Sequence, residues 1–197
     1  MKRAFTLFIE VLVVVSGVAI VAAILMPVVM SHHEYGYSYR SSCQSNLKQI
    51  GLGVLQYTQD YDERLPPARI TSSTGWADAV LPYIKSQQLF ECPAAPSQAT
   101  TFSSDYFYNR RVVRVTMYKV NILALTILCG DGNDNAPTWN SWAKLPADAV
   151  TNADSPCQRH LDTANYLFAD GHVKALKPSS VSSTYAAPTS RPTFAFR

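Results

Sequence analysis

Met1-Lys2-Arg3-Ala4-Phe5-Thr6-Leu7-Phe8-Ile9-Glu10, followed by VLVVVSGVAIVAAILMPVVM over residues 11–30, decides how the rest of the chain is read. From Phe5 to Met30 the only ionisable side chain is Glu10. As a helix, an uncharged run of this length at ~1.5 Å per residue spans roughly 30 Å, the thickness of a bilayer's hydrocarbon core. Lys2 and Arg3 ahead of the run favour an N-terminus kept in the cytoplasm and export of the chain beyond the run. A cleaved secretory signal and a simple anchor are the plain alternatives. A secretory signal has a shorter apolar core and a small-x-small cleavage site. Here Met26-Pro27-Val28-Val29-Met30 closes the run, so the helix is expected to stay on the chain.

The 197 residues suit one domain of ordinary size. Apolar residues make up 47% and charged residues 16%, which excludes disorder for most of the length. The net charge is +3, and Lys2 and Arg3 supply two of the 17 basic residues against 14 acidic ones. The body is therefore close to neutral, too mild to imply a nucleic-acid partner by itself.

Glu10 is the informative residue of the first segment. An ionised carboxylate at the edge of an apolar helix costs several kcal/mol unless a cation meets it. Lys2 to Glu10, with the apolar run behind it, resembles the class III signal of type IV prepilins and pseudopilins. The resemblance implies a leader of residues 1–4, cut between Ala4 and Phe5, with N-methylation of Phe5. It also implies a retained hydrophobic helix over 5–30, in the membrane before assembly and in the filament core afterwards. Glu10 would set subunit register by meeting the N-terminal amine of a neighbouring subunit. Two features depart from the family pattern: Ala4 stands where glycine is usual, and one extra residue separates Phe5 from Glu10. Cleavage before Thr6 would restore Glu10 to fifth place, but puts Phe5 where the peptidase needs a small residue. Pro27 removes a helix hydrogen bond, so the helix is expected to kink or melt near it, although a tolerated proline is the equal alternative.

Leu47, Ile50, Val54, Tyr57 and Tyr61 recur at helical spacing, which predicts an amphipathic helix over 41–62 with one face on a sheet made later. Trp76, Val80 and Ile84 predict a short helix over 76–84 with a core face. Residues 112–119 and 122–129 are rich in β-branched side chains and read as strands. The adjacent His32 and His33 diverge on a helix and do not make a chelating pair. Cys43 to Gly51, Gln59 to Glu63, Trp76 to Ile84 and Phe90-Glu91-Cys92-Pro93 form a second resemblance, to pilin-like proteins that carry a prepilin signal and a C-terminal H-x9-DG motif.

Cys43, Cys92, Cys129 and Cys157 are an even number in a domain expected to leave the cytoplasm, so disulfides are the natural reading, with three possible connectivities. Cys43 and Cys92 both sit in the family-like segments, which favours Cys43–Cys92 and leaves Cys129–Cys157. No spacing is CxxC, which argues against a zinc knuckle. Asp131, Asn133 and Asn135 alternate as the first ligands of a calcium loop do. Ala136 and Trp142 stand where an EF-hand needs Gly and Glu, so that motif is rejected. Ca2+ at these three residues is the one cofactor entertained, against a plain turn.

His160 and Asp170-Gly171 are separated by nine residues and match H-x9-DG. Asp170-Gly171 suits a two-residue type I′ hairpin turn, with His160 hydrogen-bonding nearby backbone. A catalytic or metal role for His160, Asp170 and His172 is the alternative, although no nucleophile or third ligand stands at comparable spacing. Arg110, Arg111, Arg114 and Lys119 lie among Tyr106, Phe107, Tyr108 and Tyr118, a mixture that stacks on single-stranded DNA or protects a strand edge. Residues 178–197 are rich in Ser, Thr and Pro and read as an extended tail, in which Phe194 and Phe196 are candidates for docking onto a neighbouring subunit.

The expectation is an α+β, type IV pilin-like fold with a long N-terminal helix packed on an antiparallel sheet. It has a leader 1–4, a hydrophobic helix 5–30, a globular domain 31–177 and a tail 178–197. The function expected is not catalytic: a subunit that polymerises with itself into an extracellular filament on the bacterial surface. Its partners would be a prepilin peptidase and the inner-membrane assembly machinery. A type II secretion pseudopilin is the nearest alternative, and a membrane-anchored exported enzyme or metal-binding protein the second.

Overall fold

The computed structural model describes residues 2–30, 35–96, 100–182 and 191–195. The chain divides into two compact units, Met1–Tyr35 and Gly36–Arg197. The first contains helix α1 (Lys2–Met30). Backbone at Pro27 is helical, so the helix is not melted at that residue; it ends three residues later. The side chains of Ala4, Phe5 and Pro27 lie outside the described residues, as do residues 31–34 with His32 and His33, and Phe196. Side chains 9–23 are all exposed, and Ser16 returns its hydroxyl to the Val13 carbonyl at 2.9 Å. Among the described residues no helix is long and apolar enough to cross a membrane. The uncharged run 11–30 extends past the last described side chain of α1.

The second unit is α+β. Helix α2 (Tyr35–Asp60) begins earlier than its apolar stripe suggests and stops two residues sooner, where Asp62 and Glu63 turn left-handed. Its face of Cys43, Leu47, Ile50 and Val54 is completely buried, as the spacing requires. A Cβ at Gly51 would stand 2.7 Å from Cδ1 of Leu167, so glycine at this position sets how closely α2 lies on the sheet. Helix α3 (Trp76–Ile84) starts with Asp78 accepting the Gly75 amide at 2.6 Å and ends at left-handed Lys85. Trp76, Ala77 and Val80 are buried, with Ile84 packed against the same core.

Among the described residues the unit has five strands: β1 (Ser104–Asn109), β2 (Ile127–Ala136), β3 (Ser141–Trp142), β4 (Ala164–Phe168) and β5 (Val173–Leu176). Their order is β3-β1-β2-β4-β5. All neighbours are antiparallel except β1 and β3, so the sheet is mixed rather than wholly antiparallel. One face carries Tyr106, Tyr108, Cys129 and Leu167 against α2 and α3. The other carries Phe107, Ile127, Ala164, Tyr166 and Phe168. Phe194 fills this second core, stacked 5.3 Å from Phe107, and Asn109 donates to its carbonyl at 2.9 Å. The tail expected to reach a neighbouring subunit through Phe194 thus returns to its own sheet, with Ile127 donating to the Thr193 carbonyl at 2.9 Å.

The strands expected at 112–119 and 122–129 are corrected. Short 3-10 turns occupy Arg110–Val112, Met117–Lys119 and Leu123–Leu125, and strand begins only at Ile127. Val112 is buried by local turning, and the segment bonds outside the sheet: Leu65 donates to Val115 and Met117 to Glu63, both at 2.9 Å. Conversely, Asp131, Asn133 and Asn135, expected in a calcium loop or a plain turn, lie in strand β2.

Candidate functional site

His160 is held by a tight turn: it exchanges backbone hydrogen bonds with Thr163 at 2.9 and 3.2 Å across Leu161 and Asp162. Both of these central residues have positive φ, 55° and 60°. The side chain of His160 is turned inward and only 1% exposed. Its Nε2 lies 3.5 Å from Sγ of Cys92 and 3.5 Å from Oδ2 of Asp131. Cys92 is joined to Cys43 of α2 by a disulfide, with Cα atoms 5.4 Å apart. The pairing Cys43–Cys92 is therefore present.

Four distant segments meet here: α2 through Cys43, the chain after α3 through Cys92, β2 through Asp131 and the turn before β4 through His160. All four side chains are buried. Asp131 faces this cluster because it stands two residues from Cys129 on the helix-facing side of β2, paired with Tyr106 of β1. Its Oδ2 accepts the Asn165 amide at 2.6 Å. Behind the disulfide, Asp105 accepts the Cys92 amide at 2.8 Å and the Asn135 amide at 2.7 Å. Burial pushes the Asp105 carboxyl up, and those two amides only partly oppose it. Arg159 pairs with Asp134 and reaches the Gly132 carbonyl at 3.1 Å.

The Asp170-Gly171 end of the motif lies elsewhere, at the β4–β5 hairpin. Gly171 donates to Phe168 at 2.8 Å and Phe168 to His172 at 2.9 Å, leaving three loop residues. Gly171 has φ of +84°, whereas Asp170 is not left-handed, so the turn is not the expected type I′ but a turn closed by a left-handed glycine. The Asp170 carboxylate holds both the backbone N–H and the ring Nδ1 of His172, at 3.1 and 2.6 Å. Burial alone would raise the Asp170 carboxyl, but these two bonds and the His172 charge outweigh it and the net shift is downward. His160 is thus not brought together with Asp170 and His172, and its acidic neighbour is Asp131.

The remaining candidates separate. Cys129 and Cys157 are both free and buried, which corrects the second disulfide. Cys129 faces the α2 core beside Tyr108, whereas Cys157 sits in the turn Pro156–Gln158 beside Ser155 and Tyr166. Burial raises both thiols, Cys157 to about 11. Of the proposed calcium ligands, Asp131 is internal, Asn133 exposed and Asn135 left-handed near the end of β2, so they do not form a loop. Arg110 and Arg111 border a groove with Trp142 and Lys144, while Arg114 and Lys119 border another with Arg64 and Tyr118. Tyr106, Phe107 and Tyr108 are wholly buried, so of the aromatic residues weighed for DNA stacking only Tyr118 stands open. Glu10 is exposed on α1.

A family model described as "Protein of unknown function (DUF1559)" matches residues 40–101. That stretch takes in most of α2, all of α3 and both cysteines of the disulfide, and covers less than half of the chain. No curated protein and no solved structure matches the chain.

Proposed function

We propose that the protein is a subunit of an extracellular filament of the type IV pilin class, assembled through α1 after removal of a short leader. The observation that carries this reading is α1 itself. From Ile9 to Val21 its large aliphatic side chains are 46–65% exposed, a condition that water does not favour. Burying each is worth about 1.5–3 kcal/mol. Packing such helices against one another, or into lipid before assembly, supplies that burial. Glu10 lies within this apolar stretch, and pairing it with the freed amine of another subunit would satisfy it and fix axial register. Ser16 is already satisfied within the helix, so it adds no cost to burial.

The pilin-like α+β fold and the disulfide suit a domain displayed outside the cell. On this reading the precursor resides in the inner membrane and is processed between Ala4 and Phe5. Tandem mass spectrometry of the N-terminal peptide from filaments sheared off cells tests it. N-methyl-Phe5 in an abundant band supports a major subunit. A start at Thr6 keeps the filament but moves the cut. Finding only Met1-started chain in membranes removes the proposal.

A further inference from the structure

A disulfide needs neither an imidazole nor a carboxylate beside it, yet Cys43–Cys92 has both, all closed off from solvent. The two sulfurs, the His160 nitrogen and an Asp131 oxygen lie within 4.8 Å of one another. With metal–ligand bonds of about 2.0–2.3 Å, the edges of a tetrahedral zinc site are about 3.3–3.8 Å long. The 3.5 Å separations from His160 Nε2 to Cys92 Sγ and to Asp131 Oδ2 are edges of that size. A second observation concerns the other oxygen of the same carboxylate, since Oδ2 already accepts the Asn165 amide. Asp131 is wholly buried, and its Oδ1 has no hydrogen-bond partner among the described residues. Such a buried acceptor is costly unless something meets it.

We propose that in their dithiol state Cys43 and Cys92, with Asp131 and His160, bind one Zn2+, so that the same four segments are closed by either a disulfide or a metal. Two thiolates, one carboxylate and one neutral imidazole make a mixed sulfur, nitrogen and oxygen set suited to this borderline-soft ion. Two thiolates and a carboxylate around Zn2+ leave one net negative charge rather than three. Opening the S–S bond lets the sulfurs part to tetrahedral spacing by side-chain rotation. The switch balances with a trialkylphosphine as reductant. The phosphine gives two electrons to the disulfide and takes an oxygen atom from water, whose two protons go to the sulfurs. Zn2+ then displaces both thiol protons to solvent.

The test uses the full chain in detergent, with and without phosphine reduction, and Co2+ as a spectroscopic stand-in for Zn2+. The expected result is thiolate-to-cobalt charge transfer and tetrahedral visible bands from one ion per reduced chain. The oxidised chain should show none, and added Zn2+ should abolish the bands. Cys129→Ser and Cys157→Ser should leave the spectrum unchanged, while Asp131→Asn and His160→Ala should weaken or shift it. A reduced chain that keeps its far-ultraviolet circular dichroism but shows no charge transfer overturns the proposal. So does a signal retained unchanged in Asp131→Asn and His160→Ala, or a reduced wild-type chain that unfolds despite saturating Zn2+.

Discussion

Nζ of Lys48 on α2 donates a 2.7 Å hydrogen bond to the carbonyl of Gly171, the left-handed residue that closes the β4–β5 hairpin. The Asp170-Gly171 half of the motif therefore fastens the hairpin tip to the helix, while the His160 half lies in the interior beside the disulfide. One motif serves two separate joints of the same domain.

Lys48→Met keeps the aliphatic stem and removes only the donor. It should cost about 1 kcal/mol and lower Tm by about 2–4 °C in a chain of this size. Gly171→Ala should cost more, because the left-handed backbone alone penalises a Cβ by about 1–2 kcal/mol. The new Cβ would also stand 3.4 Å from Leu55. Thermal melts followed by circular dichroism rank the two; equal Tm for both variants and the wild type would dismiss the fastening.

The disulfide links residues 49 apart in sequence. In the chain-entropy account such a loop is worth about 4 kcal/mol, and typical measured values run about 2–4. Cys43→Ser with Cys92→Ser should lose stability in that range in denaturant titration without zinc. Peptide mapping of the unreduced wild type should recover Cys43 linked to Cys92. Cys129 and Cys157 should appear as thiols that alkylate only after unfolding, since both are buried and burial holds their thiolates scarce at neutral pH. A Cys129–Cys157 peptide would contradict the structure.

These joints show what the sequence makes legible. Leu47, Ile50 and Val54 announce a helix face because their spacing survives any tertiary arrangement, and Trp76, Val80 and Ile84 do the same for α3. Strand β1 is not legible, because both its faces are covered and all six residues are buried, which erases alternation. In β2 the run Gly130 to Asn135 has the composition of a turn, and pairing with β1 overrides that local preference. Asp131 as the neighbour of His160 is out of reach for a different reason. It depends on β2–β4 register, with Gly130 opposite Tyr166, and no local spacing encodes that. The pairing of His160 with Cys92 has the same origin, whereas Cys43–Cys92 is reachable through the resemblance of the segments that hold them.

Two buried or hydrogen-bonded carboxyls should bend the pH dependence of stability in opposite directions. Asp170 is held below the usual carboxylate range, so its contribution is present above the unfolded value and is lost as pH falls through the folded one. Asp170→Asn should flatten that acid-side loss. Asp105 is raised, so its contribution is full below the unfolded value and disappears as pH rises through the folded one. Asp105→Asn removes that fall, and because an amide offers one oxygen to two backbone donors it should also cost about 1–3 kcal/mol. Urea midpoints from acid to neutral pH for the three proteins separate these effects; parallel curves would mean that neither carboxyl is shifted.

Phe194 tests whether the C-terminal segment belongs to the domain. It is completely buried in the second core, stacked on Phe107, and Asn109 holds its carbonyl while donating to the Ile127 carbonyl at 2.7 Å from the same amide nitrogen. Phe194→Ala should cost about 3–5 kcal/mol, the range for truncating a buried aromatic. A purely extended tail would give no change in urea midpoint.

Glu10→Leu separates assembly from folding. The substitution lies on α1, in a different unit from the sheet, so the globular domain should unfold at the wild-type temperature. If Glu10 sets register, sheared filaments should fall to a small fraction of wild type while membrane-bound subunit persists, because the variant gains apolar surface and loses the charge and hydrogen-bonding oxygens of the carboxylate. Glu10→Gln sharpens the result, since it preserves size and hydrogen bonding. Filaments lost in both variants point to the charge itself, and filaments lost only in leucine point to polarity. Wild-type filament yield from both would remove Glu10 from assembly while leaving the apolar packing of α1 as the driving force.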